Sequence, residues 1–193
     1  MIIHDFGTIE YLEAMDEMRK VHARAVKDGE NHLILCSHPK IFTVGYDDDN
    51  IWPVPVVKSD RGGSITCHAP GQVVAYFCFK APKPAQFFKK VVNTYKRFFL
   101  DLLPSVRYDL ENPGFYLENK KLASLGFRYR NGVSLHGVSL NVDVDLEFCN
   151  LVSPCGLRGI KATSLKAEGV EISINEAKKM IVSSIDSTFS HSI

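Results

Sequence analysis

The sequence predicts an α+β fold in a single domain, and three observations carry the prediction. Helical segments occur singly, around residues 8–29, 84–104 and 173–185, with runs of strand between them. That order lacks the regular strand–helix alternation of a doubly wound parallel sheet. No internal repeat, low-complexity tract or linker divides the 193 residues, a length within the ~100–200 residues of one domain, and 45% hydrophobic residues can build a core.

Taken in order, Thr8 can cap a first helix whose positions Leu12, Met15, Met18, His22 and Ala25 recur at helical spacing, with Gly29 closing it. "HLILCS" and "IFTVG" read as strands, "DDDNIWPVPVVKSD" as a surface loop, and "VVAYFCF" as a third strand. A second helix shows one broad apolar face of Phe87, Phe88, Val91, Val92, Tyr95, Phe98, Phe99 and Leu102, between Pro84 and Pro104. "VRYDL", "GFYLE", "KLASLGFRY" and "VSLHGVSLNVDV" follow as strand-like pieces, the last two joined by an Asn131-Gly132 hairpin turn. Ser173 and Glu176 are spaced as a capping box before a final helix carrying Ala177, Met180, Ile181 and Ile185.

Charge excludes several function classes. Lys and Arg number 23 against 22 Asp and Glu, so nothing marks a nucleic-acid footprint, and no basic run suggests a membrane surface. The N-terminal stretch lacks the features of a signal peptide, and no segment approaches the ~20 apolar residues of a spanning helix. The five cysteines (36, 67, 78, 149 and 155) form no C-x-x-C, no zinc spacing and no evident disulfide framework. A reducing, cytoplasmic compartment is expected.

Four stretches could carry chemistry. "RGGSITCHAPGQ" gathers Gly62, Gly63 and Gly71 with polar Arg61, Ser64, Thr66, His68 and Gln72; glycines let backbone N–H groups approach a ligand, yet an ordinary hairpin loop reads the same way. In "NKKLASLGF", strand parity puts Lys121 with Ala123, Leu125 and Phe127, and Lys120 with the polar set. A lysine so placed loses hydration and becomes usable in proton transfer, or merely snorkels at the strand start. His136 falls on the apolar side of its strand, as a core histidine or a catalyst, and Gly137 marks a bulge or a close approach. Cys155, between Pro154 and Gly156, is placed for a shaped loop, where the Gly156 amide could stabilise an oxyanion beside a nucleophilic sulfur.

Together these stretches resemble the lipoyl(octanoyl) transferase (LipB) family over nearly the whole chain. "HPKIFTVG", "DRGGSITCHAPGQVVAY", "KLASLG", "SLHGVSLNVDVDL" and "PCGLRGIKATSL" are similar to that family's motifs, in its order and spacing. The resemblance implies a fold like the biotin and lipoate protein ligase catalytic domains, a mixed sheet flanked by helices. It also implies transfer of an octanoyl group from octanoyl-acyl carrier protein to a specific lysine of lipoyl domains, either 2-oxoacid dehydrogenase subunits or the glycine-cleavage H protein. Cys155 would carry the acyl group as a thioester, and Lys121 would activate it and move protons in both steps. Arg61, Gly62, Gly63, Ser64, Ile65, Thr66, Cys67, His68, Ser124, Leu125, Gly126, Gly137, Val138 and Ser139 would line the substrate pocket. No cofactor, ATP or metal is implied, phosphopantetheine entering with the donor, and a monomer is expected.

Two positions depart from the family pattern. Ala69 stands for a glycine, a cost of ~1 kcal/mol or more if the site needs positive φ. Cys67 stands for an aromatic residue, and it and Cys149 are expected to be additional thiols. Two other readings remain: an ATP-dependent lipoate-protein ligase of the same fold, and a non-catalytic acyl-carrier-binding module.

Overall fold

Strand β1 (Ile2–Thr8) opens the chain where the sequence predicted only the approach to a helix. It pairs in parallel with β2 (His32–Ser37), from Ile2 opposite His32 to Thr8 opposite Ser37. Thr8 therefore ends a strand, and the N-cap of α1 (Tyr11–Asp28) is Glu10, with no side-chain cap bond. Local capping preference could not anticipate this, because the pairing partner lies some 30 residues away in sequence. The computed structural model of the chain describes residues 1–190.

Beyond β2 come β3 (Ile41–Val44), β4 (Val57–Lys58), β5 (Thr66–His68), β6 (Gln72–Cys78) and α2 (Pro84–Leu100). Then follow β7 (Arg107–Asp109), β8 (Gly114–Leu117), β9 (Lys120–Arg130), β10 (Val133–Asn141), α3 (Leu146–Cys149), β11 (Lys161–Ala162) and α4 (Ile174–Phe189). The main sheet runs β1-β2-β6-β10-β9-β8-β7, with β11 beside β9, and a smaller sheet runs β4-β3-β5. Parallel pairs (β1 with β2, β11 with β9) and antiparallel pairs coexist, so the sheet is mixed and the fold is α+β, as expected.

Alternation along the central strands assigns the two faces. Leu33, Leu35, Val73, Ala75 and Phe77 point to the side covered by α2 and α4; Ile34, Cys36, Val74, Tyr76 and Cys78 point to α1. Helix α2 buries Phe87, Val91, Val92, Tyr95, Phe98 and Phe99, matching its predicted face, and starts with Pro84 in the first turn. Each such side chain contributes ~1.5–3 kcal/mol on burial. Helix α1 buries Tyr11, Ala14, Met15, Met18, Val21, His22 and Ala25, while the expected core residue Leu12 is exposed because the stripe starts at Tyr11. Gly29 closes α1 at φ +73°, and the Ser173–Glu176 capping box is formed at α4. Asn131 (φ 51°) and Gly132 (φ 73°) make the tight β9–β10 turn, both with the positive φ that such a hairpin needs.

Cys67 on β5 and Cys149 on α3 form a disulfide, which corrects the expectation of two thiols. Their sequence separation of 82 residues gave no local signal; the fold brings the Cα atoms to 5.4 Å. No helix among the described residues is long and apolar enough to cross a membrane.

Candidate active site

Lys121 Nζ lies 3.0 Å from Cys155 Sγ and donates a hydrogen bond to it. The lysine is 3% exposed, and its Nζ sits 5.2 Å from the centre of the Tyr116 ring. Simple alternation along β9 would have turned Lys121 towards Leu125 and Phe127. Instead, Ala123 pairs with Phe115 and Lys121 with Tyr116, so Leu122 is an extra residue in β9. This bulge resets the parity, and Lys121 and Ser124 line the same cleft. Lys120 turns away to Glu168, its Nζ 2.6 and 2.7 Å from the two carboxylate oxygens.

Cys155 occupies a 3-10 turn, Pro154–Gly156, and adopts φ 55°, ψ 17°, a left-handed conformation uncommon for a side-chain-bearing residue. Its N–H donates to the Ile65 carbonyl at 3.3 Å, which ties the turn to the "RGGSIT" segment. The Gly156 N–H, expected to face an oxyanion, donates to Ser153 O at 2.9 Å. Tightening of the turn commits that amide.

Two small pockets meet at Thr66 and Ser124, which line both. The one nearer the sulfur is walled by Lys121, Pro154, Ile65, Cys67 and Cys149. The other, on the α1 face, is walled by Arg61, His68, Leu125, Gly126, Gly137, Val138 and Ser139, with Tyr11, Tyr76 and His136 added by the fold. Gly62, Gly63 and Ser64 line neither. Gly62 instead crosses β9, its N–H donating to Phe127 O at 3.2 Å, and a Cβ on Gly126 would stand 2.6 Å from its carbonyl. Ser64 donates to Asp48 Oδ2.

The pocket on the α1 face has several buried polar side chains in and around its wall. Arg61 is 8% exposed and donates to neutral oxygens, Thr43 O and Oγ1 at 2.9 Å and Gly62 O at 3.0 Å; its buried Nε finds no partner among the described residues. Burial pulls its basicity down, and Tyr11, Cys155 and Tyr76 oppose that pull electrostatically. Burial also holds His38 below the ordinary imidazole value and His68 well below it, leaving both neutral. His38 donates from Nδ1 to Ile9 O and accepts from the Tyr76 hydroxyl, both at 2.8 Å. His68 donates to Gln72 Oε1 at 2.8 Å; Gln72 donates to Asn141 Oδ1 at 2.8 Å, and Asn141 to Thr163 O at 2.8 Å. One chain of bonds thus joins residues drawn from three separate motifs.

His136 is a core residue, 1% exposed at φ 61°, but an incompletely satisfied one. Its Nε2 donates to Asp60 Oδ1 at 2.7 Å, and its buried Nδ1 has no partner. Burial lowers the histidine, keeping it neutral, and its hydrogen bond holds the Asp60 carboxyl down at about 2. Ala69 is fully buried and absent from the positive-φ residues, so it carries no backbone strain; Gly71, at φ 89°, makes the turn. Tyr11, Tyr76 and Asp60 escaped the sequence reading because each comes from an element whose apolar or loop character masks its polar tip.

Residues 10–186 match the family model described as the lipoyl protein ligase A/B catalytic domain. An octanoyltransferase from Nitrosomonas europaea is 32% identical across 97% of this chain and 94% of its own length. The chain belongs to the octanoyltransferase family. Solved structures extend the likeness of this octanoyltransferase-family chain at the level of fold. A bi-partite lipoate protein ligase from Thermoplasma acidophilum superposes with a TM-score of 0.73 at 13% identity, over 98% of this chain and 83% of that one. A biotin protein ligase from Leishmania major in complex with biotin gives 0.64 at 13% identity, over 95% and 72% of the two chains. The octanoyltransferase-family chain thus has the catalytic-domain fold shared by lipoate and biotin protein ligases.

Proposed function

We propose that this chain transfers an octanoyl group from octanoyl-acyl carrier protein to a specific lysine on lipoyl domains, through an octanoyl thioester on Cys155. The observation that carries the reading is the 3.0 Å hydrogen bond from Lys121 Nζ to Cys155 Sγ, beside the pocket that Lys121 and Pro154 line. Family membership supplies the octanoyl-transfer chemistry, and the dyad gives it a nucleophile and a proton carrier.

In the first half-reaction the thiol proton passes to the Lys121 amine, and the thiolate attacks the donor thioester carbonyl. The new carbon–sulfur bond forms on Cys155 as the donor carbon–sulfur bond breaks, and the departing phosphopantetheine thiolate takes the proton from Lys121. In the second, the neutral amine of the acceptor lysine attacks the Cys155 thioester. Its surplus proton goes to Lys121, the amide forms, and Cys155 leaves as thiolate. Exchange between thioesters is nearly balanced and amide formation runs downhill, so the cycle asks for no ATP, metal or cofactor. The acceptors are lipoyl domains of 2-oxoacid dehydrogenases and the glycine-cleavage H protein, and the catalyst is a monomer in the cytoplasm. In a reducing cytoplasm the Cys67–Cys149 bond is open to thiol exchange.

Intact-protein and peptide mass spectrometry test the reading directly. Incubation with octanoyl-acyl carrier protein is expected to add one octanoyl group at Cys155, which a lipoyl domain then discharges. A Cys155→Ser variant that still octanoylates the acceptor, or an unmodified Cys155 in the active protein, rules out the thioester. Pyrophosphate exchange into ATP driven by octanoate would favour the ligase reading instead.

A further inference from the structure

Ser64 belongs to the "RGGS" motif yet faces away from both pockets, towards Asp48. Asp48 is an assembly point in the loop after β3. Its Oδ1 accepts from the Asn50 N–H at 2.9 Å, the Asn50 side-chain amide at 3.0 Å and the Trp52 indole N–H at 3.3 Å. Burial pushes its carboxyl up, but the bonds from Ser64, Asn50 and Trp52 outweigh that and hold it ionised. The anchored indole packs with Phe42, Val44, Ile65 and Val152, and its far edge covers Gly156. A Cβ at Gly156 would lie 2.8 Å from Trp52 Cη2, and Gly156 itself sits at φ 69°. The Cys155 turn is therefore gripped from two sides, by Ile65 O on the Cys155 N–H and by the indole on Gly156.

From this arrangement we infer that Trp52 is a positioning residue for Cys155, fixed by the Ser64–Asp48 contact and holding the turn so that Sγ stays within reach of Lys121 Nζ. Two successive left-handed residues, Cys155 and Gly156, persist only where the surroundings over-determine them. The indole supplies one such surrounding, and the glycine is what lets it approach. The proposal rests on Cys155 being the nucleophile, but its test does not require octanoyl transfer.

Trp52 is the only tryptophan in the chain, so intrinsic indole emission reports on this contact alone. Carboxamidomethylation of Cys155 by iodoacetamide, read at the peptide level, is expected to shift Trp52 emission in the unsubstituted protein; unchanged emission overturns the proposal. Trp52→Ala is expected to slow that alkylation at neutral pH by about tenfold or more, because the sulfur leaves its productive position. Trp52→Phe, which restores a ring over Gly156 without the indole N–H, is expected to recover most of the rate. Alkylation in Trp52→Ala that is as fast as in the parent or faster, or a phenylalanine variant no better than the alanine one, overturns the proposal. Should Trp52→Ala not fold, Asp48→Ala replaces it, with slower alkylation supporting the inference and an unchanged rate rejecting it. A parent protein that alkylates normally but transfers no octanoyl group would refute the transferase reading and leave the Trp52 comparison standing.

Discussion

A left-handed cysteine costs of order 1–3 kcal/mol, and Cys155 adopts that conformation at φ 55°. What the strain achieves is direction: the sulfur projects from the turn towards Lys121 instead of into the core. Lys121 reaches the same point from β9, buried among Tyr116, Gly114 and the β9 bulge. Lys121→Met removes the hydrogen bond to the sulfur and, on the proposed mechanism, the proton carrier, so octanoyl transfer is expected to fall roughly 10²–10⁴-fold in single-turnover assays. Lys121→Arg keeps a donor there but never gives up its proton, and is expected to be nearly as poor a catalyst. Asp60 offers a pH test. Its folded value of about 2 lies below the ordinary 3.8, so the stability it contributes is present above about pH 4 and is lost as pH falls towards 2. The shift corresponds to roughly 2 kcal/mol, and Asp60→Asn is expected to flatten that part of the acid-unfolding curve.

Hairpin β9–β10 supplies much of the site. Cross-strand partners Gly126 and Gly137, Leu125 and Val138, and Ser124 and Ser139 all line the pocket on the α1 face. The turn at Asn131-Gly132 sets this register, and that turn was legible in sequence. Legible too were α2, from its phenylalanine stripe, and the α4 capping box. Strand β1 was not, because an edge strand pairs with a distant partner and its own pattern, largely exposed, carries little periodicity. The β9 bulge was equally hidden: an extra residue leaves no trace in composition, yet it decides which face Lys121 shares. Two substitutions separate element-level stability from the site. Ser173→Ala removes the α4 cap and is expected to cost about 1 kcal/mol in chemical denaturation with transfer unchanged. Gly126→Ala drives a methyl group against Gly62 O and is expected to cost ~1–3 kcal/mol and also to reduce transfer, because the "RGG" segment must move off β9.

Across the whole molecule, the site is assembled from segments that meet only after folding: the loop before β5, the β9–β10 hairpin, and the turn after α3. The Cys67–Cys149 disulfide ties β5, which follows the first of these, to α3, which precedes the last, across 82 residues. In the chain-entropy account a loop of that size stabilises by roughly 4–5 kcal/mol, so reductant, or Cys149→Ser, is expected to lower the thermal midpoint by about 10–20 °C. An unchanged midpoint under reductant would show that the bond does not stabilise the protein. By itself the sequence determined the α+β class, the helix faces, the hairpin turn and the set of motif residues, because these rest on short-range periodicity, turn chemistry and motif spacing. The tertiary structure alone decided the Lys121–Cys155 contact, the withdrawal of Gly62, Gly63 and Ser64 from the pocket wall, and the disulfide. Each of those depends on distances between residues far apart in the chain, which are fixed by packing and by no local preference.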